Sequence, residues 1–170
     1  MIRFIVCLIC ISIQAIAGDC PWPGVKFTEV RAFAWPSDKE AEAVVLDGME
    51  PKTGAINPGG AVLTKEQTLT VIRAVSGERP SYTVASCHIP HNALIFYDAA
   101  KKPVAYIEIC FGCSNHRISP KGTARFIDLV AIASVFEAHK LPMGEYKDFA
   151  TYKQHFGQAL KASKEDEDAK

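Results

Sequence analysis

Sulfur and imidazole side chains are concentrated at the two ends of one pair of apolar segments. Cys87, His88 and His91 come before this pair, and Cys110 and Cys113 end it. Thiolates and imidazoles are the ligands that zinc prefers, and thiols also pair as disulfides. Two residues separate Cys110 from Cys113, a spacing found in zinc sites and in redox-active cysteine pairs. The sequence therefore predicts one chemical centre, provided that the chain folds back on itself.

A β-hairpin would bring these groups together. The runs Ala93–Asp98 and Val104–Cys110 are apolar and rich in strand-forming residues, and the linker 99–102 is short. A turn centred on that linker places His91 opposite Cys110 in the antiparallel register. Since side chains alternate between faces with a period of two, both are expected on the same face. The other expected pairs are Tyr97 with Val104, Ile95 with Tyr106 and Ala93 with Glu108.

Three chemistries fit such a cluster. Two disulfides are the default for an exported chain with four cysteines. The second is a zinc ion, whose expected ligands are Cys87, His91, Cys110 and Cys113. The groups expected to hydrogen-bond to those ligands are His88, Glu108 and His116, although a solvent-facing position is the simpler expectation for Glu108.

The third chemistry is thiol–disulfide exchange by Cys110 and Cys113. The first cysteine of such a pair normally starts a helix, whose dipole lowers the thiol pKa. Here Cys110 ends a predicted strand, and the residues after Cys113 do not open a good helix. All three chemistries stay open on the sequence alone.

The N-terminal segment has the pattern of a secretory signal peptide, predicted to span residues 1–17. Arg3 supplies the positive start, an apolar run follows, and Ala15 and Ala17 form the small-x-small cleavage pattern. The apolar run is shorter than the roughly 20 residues that cross a bilayer, so no membrane span is expected after cleavage. The protein is therefore predicted to be periplasmic or secreted. The cysteines left after cleavage are Cys20, Cys87, Cys110 and Cys113.

The remaining patterns predict an α+β fold: a small antiparallel sheet with a central β-hairpin, packed by about four helices. A single domain is expected over residues 18–160, followed by a charged flexible tail at 161–170. A strand is expected within Lys26–Trp35, and the segment 114–122 is expected to be irregular. The four helices are expected from Asp38 to Leu46, after the Thr64 capping box and before Gly77, from Thr123 to Leu141, and from Lys147 to Leu160.

Composition narrows the partner classes. The chain has 19 basic and 19 acidic residues, so it lacks the positive field of a non-specific nucleic-acid binder. Hydrophobic content of 48% and charged content of 22% are typical of globular proteins. No nucleic-acid partner is expected. The expected partner is a protein of the cell envelope.

Two segments resemble a group of small exported bacterial proteins. They are CHIPHNALIFYD at 87–98 and VAYIEICFGC at 104–113. The shared features are a Cys-x-Pro-x-His-like stretch, a Phe-Tyr-Asp strand end and a Cys-Phe-x-Cys pair. The helix start LTKEQ at 63–67 is similar too. The resemblance implies a bacterial, exported setting and transfers no activity.

The leading functional prediction is an exported, non-catalytic binding protein, such as an envelope inhibitor or an immunity-like factor. Its Cys/His cluster would stabilise the fold through disulfides or zinc. The alternative prediction is an enzyme: a metal-dependent hydrolase, or a redox protein that uses Cys110 and Cys113.

Overall fold

The fold is built on a five-stranded antiparallel sheet. The computed structural model describes residues 22–38, 42–77, 79–121 and 125–168, so the predicted signal peptide at 1–17 lies outside the described residues. The strand order is β2-β1-β3-β4-β5, and every neighbouring pair is antiparallel. The strands are β1 (Glu29–Ala34), β2 (Ala61–Val62), β3 (Asn92–Tyr97), β4 (Pro103–Cys110) and β5 (Asn115–Ser119).

The described residues contain three α-helices, so the prediction of about four is wrong. The helices are α1 (Lys65–Val75), α2 (Leu129–Ala138) and α3 (Phe149–Asp168). Part of the helix expected at 38–46 lies outside the described residues, but residues 42–46 are described and are not helical. The N–H groups of Val44 and Val45 donate to the Glu108 carboxylate over 2.5 and 3.0 Å. These two N–H groups are therefore not available for the backbone hydrogen bonds of a helix.

The central hairpin has the predicted register over most of its length. Ile95 pairs with Tyr106, and Ala93 pairs with Glu108, as expected. Tyr97 pairs with Pro103 instead of Val104, because the register shifts by one residue between Phe96 and Tyr97. Pro103 lacks an N–H group, and it stands at the first position of its strand, where a missing donor is tolerated.

The two faces of the sheet are covered by different parts of the chain. Even-numbered residues of β3, such as Leu94 and Phe96, pack in one core with residues of all three helices. Odd-numbered residues, such as Ala93 and Ile95, pack in a second core with side chains from the segment between β1 and β2. One face is thus covered by helices and the other by a loop layer, the described residues 35–38 and 42–60, in which a short 3-10 turn spans Asp47–Met49.

Several element boundaries differ from the sequence-based expectation. The capping box of α1 is confirmed, since the Thr64 hydroxyl accepts from the Gln67 N–H and Gln67 returns a bond to the Thr64 N–H. Helix α2 begins later than expected, after an Asp128 cap, and α3 continues to Asp168. The segment expected to be irregular holds β5, which completes the sheet beside β4. No helix within the described ranges is long and apolar enough to cross a bilayer.

Two buried tyrosines provide a test of the helical core. The Tyr152 hydroxyl has no hydrogen-bond partner among the described residues, whereas the Tyr82 hydroxyl accepts from the Ile127 N–H at 3.3 Å. We expect Tyr152→Phe to keep or raise the free energy of unfolding by up to about 1 kcal/mol, because it removes an unpaired buried group. The matched variant Tyr82→Phe should lose about 1 kcal/mol. Urea unfolding measures both, and equal losses would contradict the assignment.

Candidate functional site

Three sulfur atoms meet where β4 turns into β5. Cys110, the last residue of β4, forms a disulfide with Cys113 in the turn. The N–H group of Cys113 also donates to the Cys110 sulfur at 3.2 Å. The Cys87 Sγ lies 2.8 Å from the Cys113 Sγ, although 26 positions separate them in the chain. A free thiol is therefore in direct contact with one sulfur of a disulfide.

The three cysteines differ in exposure. Cys110 and Cys113 are only 4% and 5% exposed, whereas Cys87 is exposed. The disulfide is thus covered by protein, and the thiol beside it faces solvent. A reagent of protein size can reach Cys87 far more readily than it can reach the disulfide.

Cys87 is held in place by non-local contacts. It lies in the segment 79–91, which has no helix or strand. The Ala85 N–H donates to the Cys113 carbonyl at 3.0 Å, and the Asn115 side-chain amide donates to the Cys87 carbonyl at 3.2 Å. His88, the next residue, is tied to Glu108 in β4. These contacts on both sides of Cys87 fix its position against Cys113.

Glu108 is a buried carboxylate rather than a solvent-facing one. It is 1% exposed, and it accepts the N–H groups of Val44 and Val45 through Oε1. Its Oε2 lies 3.2 Å from His88 Nε2. Burial alone would raise the pKa of Glu108, but the hydrogen bonds from His88 and from the two amides outweigh it and hold the pKa below its ordinary value. The group is therefore ionised at neutral pH.

Two basic side chains of β5 interact with the Glu108–His88 pair, Arg117 with the carboxylate and His116 with the imidazole. Arg117 Nη1 is 3.7 Å from Glu108 Oε2, and its side chain is half exposed. His116 is more enclosed, and burial, followed by repulsion from His88, lowers its pKa to about 4. His116 is therefore neutral at neutral pH, and Arg117 is the partly solvated cation of the group.

His91 lies next to β4, as expected. Its backbone N–H donates to the Ile109 carbonyl at 3.3 Å. Its Nδ1 has no hydrogen-bond partner among the described residues, and its ring lies beside Gly144. Burial lowers the pKa of His91, although the Pro36 carbonyl and Glu145 act in the opposite direction.

The described residues contain no group of three or more His, Cys, Asp and Glu side chains placed to hold a metal ion. The predicted zinc site made of Cys87, His91, Cys110 and Cys113 therefore gains no support and stays a prediction. A disulfide was also predicted, and one is confirmed at the Cys-x-x-Cys pair. Cys20 lies outside the described residues.

The sequence interpretation missed three contributors to the site. They are Asn115, Arg117 and the backbone amides of residues 44 and 45. Asn115 and Arg117 lie in β5, which was expected to be irregular, so no register could place them. The alternating residues Arg117, Ile118 and Ser119 gave a weak strand signal that could have found it.

The buried histidine of β5 gives the unfolding free energy a defined pH dependence. A histidine with a pKa of about 4 in the folded state and 6.5 in the unfolded state stabilises the fold fully above pH 6.5. That contribution, about 2–3 kcal/mol, is lost as the pH falls through 6.5 towards 4. Between pH 7 and pH 4, the free energy of unfolding of His116→Gln, measured with urea, should therefore fall by less than that of wild type, because the variant lacks this histidine. The control His155→Gln, on α3, should show the same fall in the free energy of unfolding as wild type. Identical pH profiles for wild type and His116→Gln would contradict the assignment.

Comparisons with known proteins do not indicate the chemistry of this site. The chain matches no protein-family model, no curated protein and no solved structure. The function is therefore inferred from the three sulfur atoms and the groups that hold them.

Proposed function

We propose that this protein is an exported thiol–disulfide exchange protein that passes its Cys110–Cys113 disulfide to other proteins through Cys87. The observation that supports the proposal is the 2.8 Å contact between the Cys87 thiol and the Cys113 sulfur. Exchange occurs by attack of a thiolate on a disulfide sulfur, so contact between these atoms is the first requirement. The substrates are the cysteine side chains of polypeptides in the cell envelope.

The first stage of the exchange is internal to the protein. The Cys87 thiolate attacks the Cys113 sulfur, a Cys87–Cys113 bond forms, and the Cys110–Cys113 bond breaks. Cys110 leaves with the electron pair and takes up one proton, which balances the proton lost by Cys87. The three-cysteine centre keeps one disulfide and one thiol throughout. The disulfide now includes an exposed sulfur, and the buried Cys110 carries the free thiol.

The second stage transfers the disulfide to the substrate. A substrate thiolate attacks the Cys87 sulfur, and Cys113 leaves as a thiolate. A second thiolate of the substrate then attacks the substrate sulfur of this mixed disulfide, and Cys87 leaves. Two substrate thiols are oxidised to one disulfide, and one protein disulfide is reduced to two thiols. The stages describe a single turnover.

Burial explains why a third cysteine is needed. At 4% and 5% exposure, neither sulfur of the Cys110–Cys113 pair can be approached in line by a polypeptide thiol without movement of the fold. Cys87 contacts both the disulfide and solvent, so it can connect the two. The predicted export supports this role, since disulfides persist in oxidising compartments. The predicted non-catalytic role as a binding protein in the envelope stays a prediction.

A reduced peptide with two cysteines tests the transfer. The oxidised protein is mixed with the peptide in the absence of other thiols, and peptide disulfide is followed by mass spectrometry after acid quenching. We expect about one peptide disulfide per protein molecule and a slowing of about 10- to 100-fold in Cys87→Ser, where the three-cysteine centre keeps only its buried pair. Ser86→Ala, at the neighbouring exposed position, is the control and should react as wild type does.

Disulfide mapping tests the internal stage separately. In the resting wild-type protein, alkylation and peptide mapping should find both Cys110–Cys113 and Cys87–Cys113 linkages. Cys110→Ser should be isolated with Cys87 bonded to Cys113. The proposal is wrong if Cys87→Ser oxidises the peptide as fast as wild type, or if the wild-type protein forms no peptide disulfide.

A further inference from the structure

We propose that Asn115 is the positioning residue of the internal exchange, because it orders the segment that carries Cys87 before the Cys87–Cys113 bond forms. This inference rests on the proposed exchange function and assigns it a residue outside the three cysteines. Asn115 is the first residue of β5, two positions after Cys113. Its role is carried by two hydrogen bonds of its side chain and by its place in the sheet.

The side-chain amide of Asn115 is oriented by its own strand. Its Oδ1 accepts the N–H group of His116 at 2.8 Å, so the oxygen end of the amide is occupied. Its Nδ2 donates to the Cys87 carbonyl at 3.2 Å. An amide carries its acceptor at one end and its donors at the other, so these two bonds together fix which way it faces. The donor is therefore presented to the backbone of Cys87.

Asn115 also lies opposite the cysteine that leaves in the internal stage. It pairs with Cys110 across the β4–β5 ladder. Directly opposite residues of an antiparallel pair share a face of the sheet, with β-carbons about 4.5–5.5 Å apart. A single residue is thus the neighbour of the leaving cysteine in the sheet and the hydrogen-bond partner of the attacking cysteine's backbone.

The segment that carries Cys87 has one further tie to the same turn. The Ala85 N–H donates to the Cys113 carbonyl at 3.0 Å. The segment 79–91 has no helix or strand, so each such bond restricts a backbone that would otherwise sample many conformations. Of the two bonds, the one from Asn115 is made by a side chain, and a substitution can remove it.

This ordering affects the equilibrium between the two disulfides. The Cys87 Sγ lies 2.8 Å from the Cys113 Sγ, and a disulfide needs about 2.05 Å, so the attacking sulfur has little distance left to move. Without the Asn115 bond, the segment gains freedom while Cys87 is a thiol, and it loses that freedom when Cys87 bonds to Cys113. Asn115 therefore favours the Cys87–Cys113 linkage over the Cys110–Cys113 linkage.

Asn115→Ala tests this role, and Ser119→Ala is the matched control. Both replace a partly buried polar residue on the same face of β5, but Ser119 lies at the end of the strand away from the cysteines. The readout is the ratio of the Cys87–Cys113 to the Cys110–Cys113 linkage in the resting protein, measured by acid quenching, alkylation and peptide mapping. We expect this ratio to fall about 3- to 10-fold in Asn115→Ala, as for the loss of one hydrogen bond, and to change less than about 1.5-fold in Ser119→Ala.

The same substitution in Cys110→Ser separates ordering of the segment from general support of the fold. In that variant we expect Cys87 to be bonded to Cys113 from the start, so no internal stage precedes transfer to the peptide. Asn115→Ala should slow peptide oxidation in the wild-type background in proportion to the lost Cys87–Cys113 linkage. The double variant should react within about 1.5-fold of Cys110→Ser, since the covalent bond replaces the ordering. A residue that only supports the fold would slow both backgrounds alike.

The outcomes distinguish the two proposals. If wild type oxidises the peptide and Asn115→Ala matches it in rate and in linkage ratio, or slows the Cys110→Ser background as much as wild type, the positioning role is overturned and the exchange function stands. If wild type forms no peptide disulfide and mapping finds no Cys87–Cys113 linkage, the exchange function itself fails. Urea unfolding of each variant identifies a folding defect. Should Asn115→Ala unfold, Asn115→Thr, a strand former with a shorter side chain, takes its place in every measurement.

Discussion

The buried carboxylate of Glu108 is the constraint on which the rest of this structure depends. A charge removed from water costs several kcal/mol unless it is paired and fully hydrogen-bonded. Here the compensation comes from two backbone amides, His88 and Arg117, which belong to three separate parts of the chain. Each partner must therefore be drawn to β4 for the fold to form. The loop layer and the segment that carries Cys87 are fixed by the same requirement.

This requirement also explains why a segment without secondary structure can hold a thiol precisely. Residues 79–91 gain no stability from a helical or strand ladder, and Ser86 and Cys87 are exposed. The contacts of Ala85 and His88 with the β4–β5 unit flank Cys87 on both sides. A loop fixed at two neighbouring points loses most of its freedom, so a sulfur contact between them persists at little further entropic cost.

The sequence predicts the local features of this fold better than its non-local ones. The hairpin register follows from apolar runs and a proline that tolerates only a strand start, and the Thr64 capping box is a signal contained in four residues. The loop at Val44 was mistaken for a helix because its amides are satisfied by a side chain 64 positions away. Strand β5 was missed because its residues are only partly buried, so the alternation of Arg117, Ile118 and Ser119 marks it only weakly. The approach of Cys87 to Cys113 could be predicted, since the hairpin brings their two segments to the same end of the sheet; the burial of Glu108 could not, since it depends on the loop layer.

The placement of the third cysteine favours the proposed exchange function over a purely structural disulfide. A disulfide that only stabilises a fold gains from burial and from the absence of neighbouring thiols, because a thiolate in contact is a route to rearrangement. This chain has the burial but places Cys87 against Cys113. The next residue, His88, is hydrogen-bonded to the buried Glu108, which anchors the segment that carries Cys87. The combination is costly to fold, since it buries the Glu108 charge and leaves His88 Nδ1 without a hydrogen-bond partner among the described residues. The proposed exchange function gives two of these features a use: the exposed thiol reaches the substrate, and the buried pair stores the disulfide.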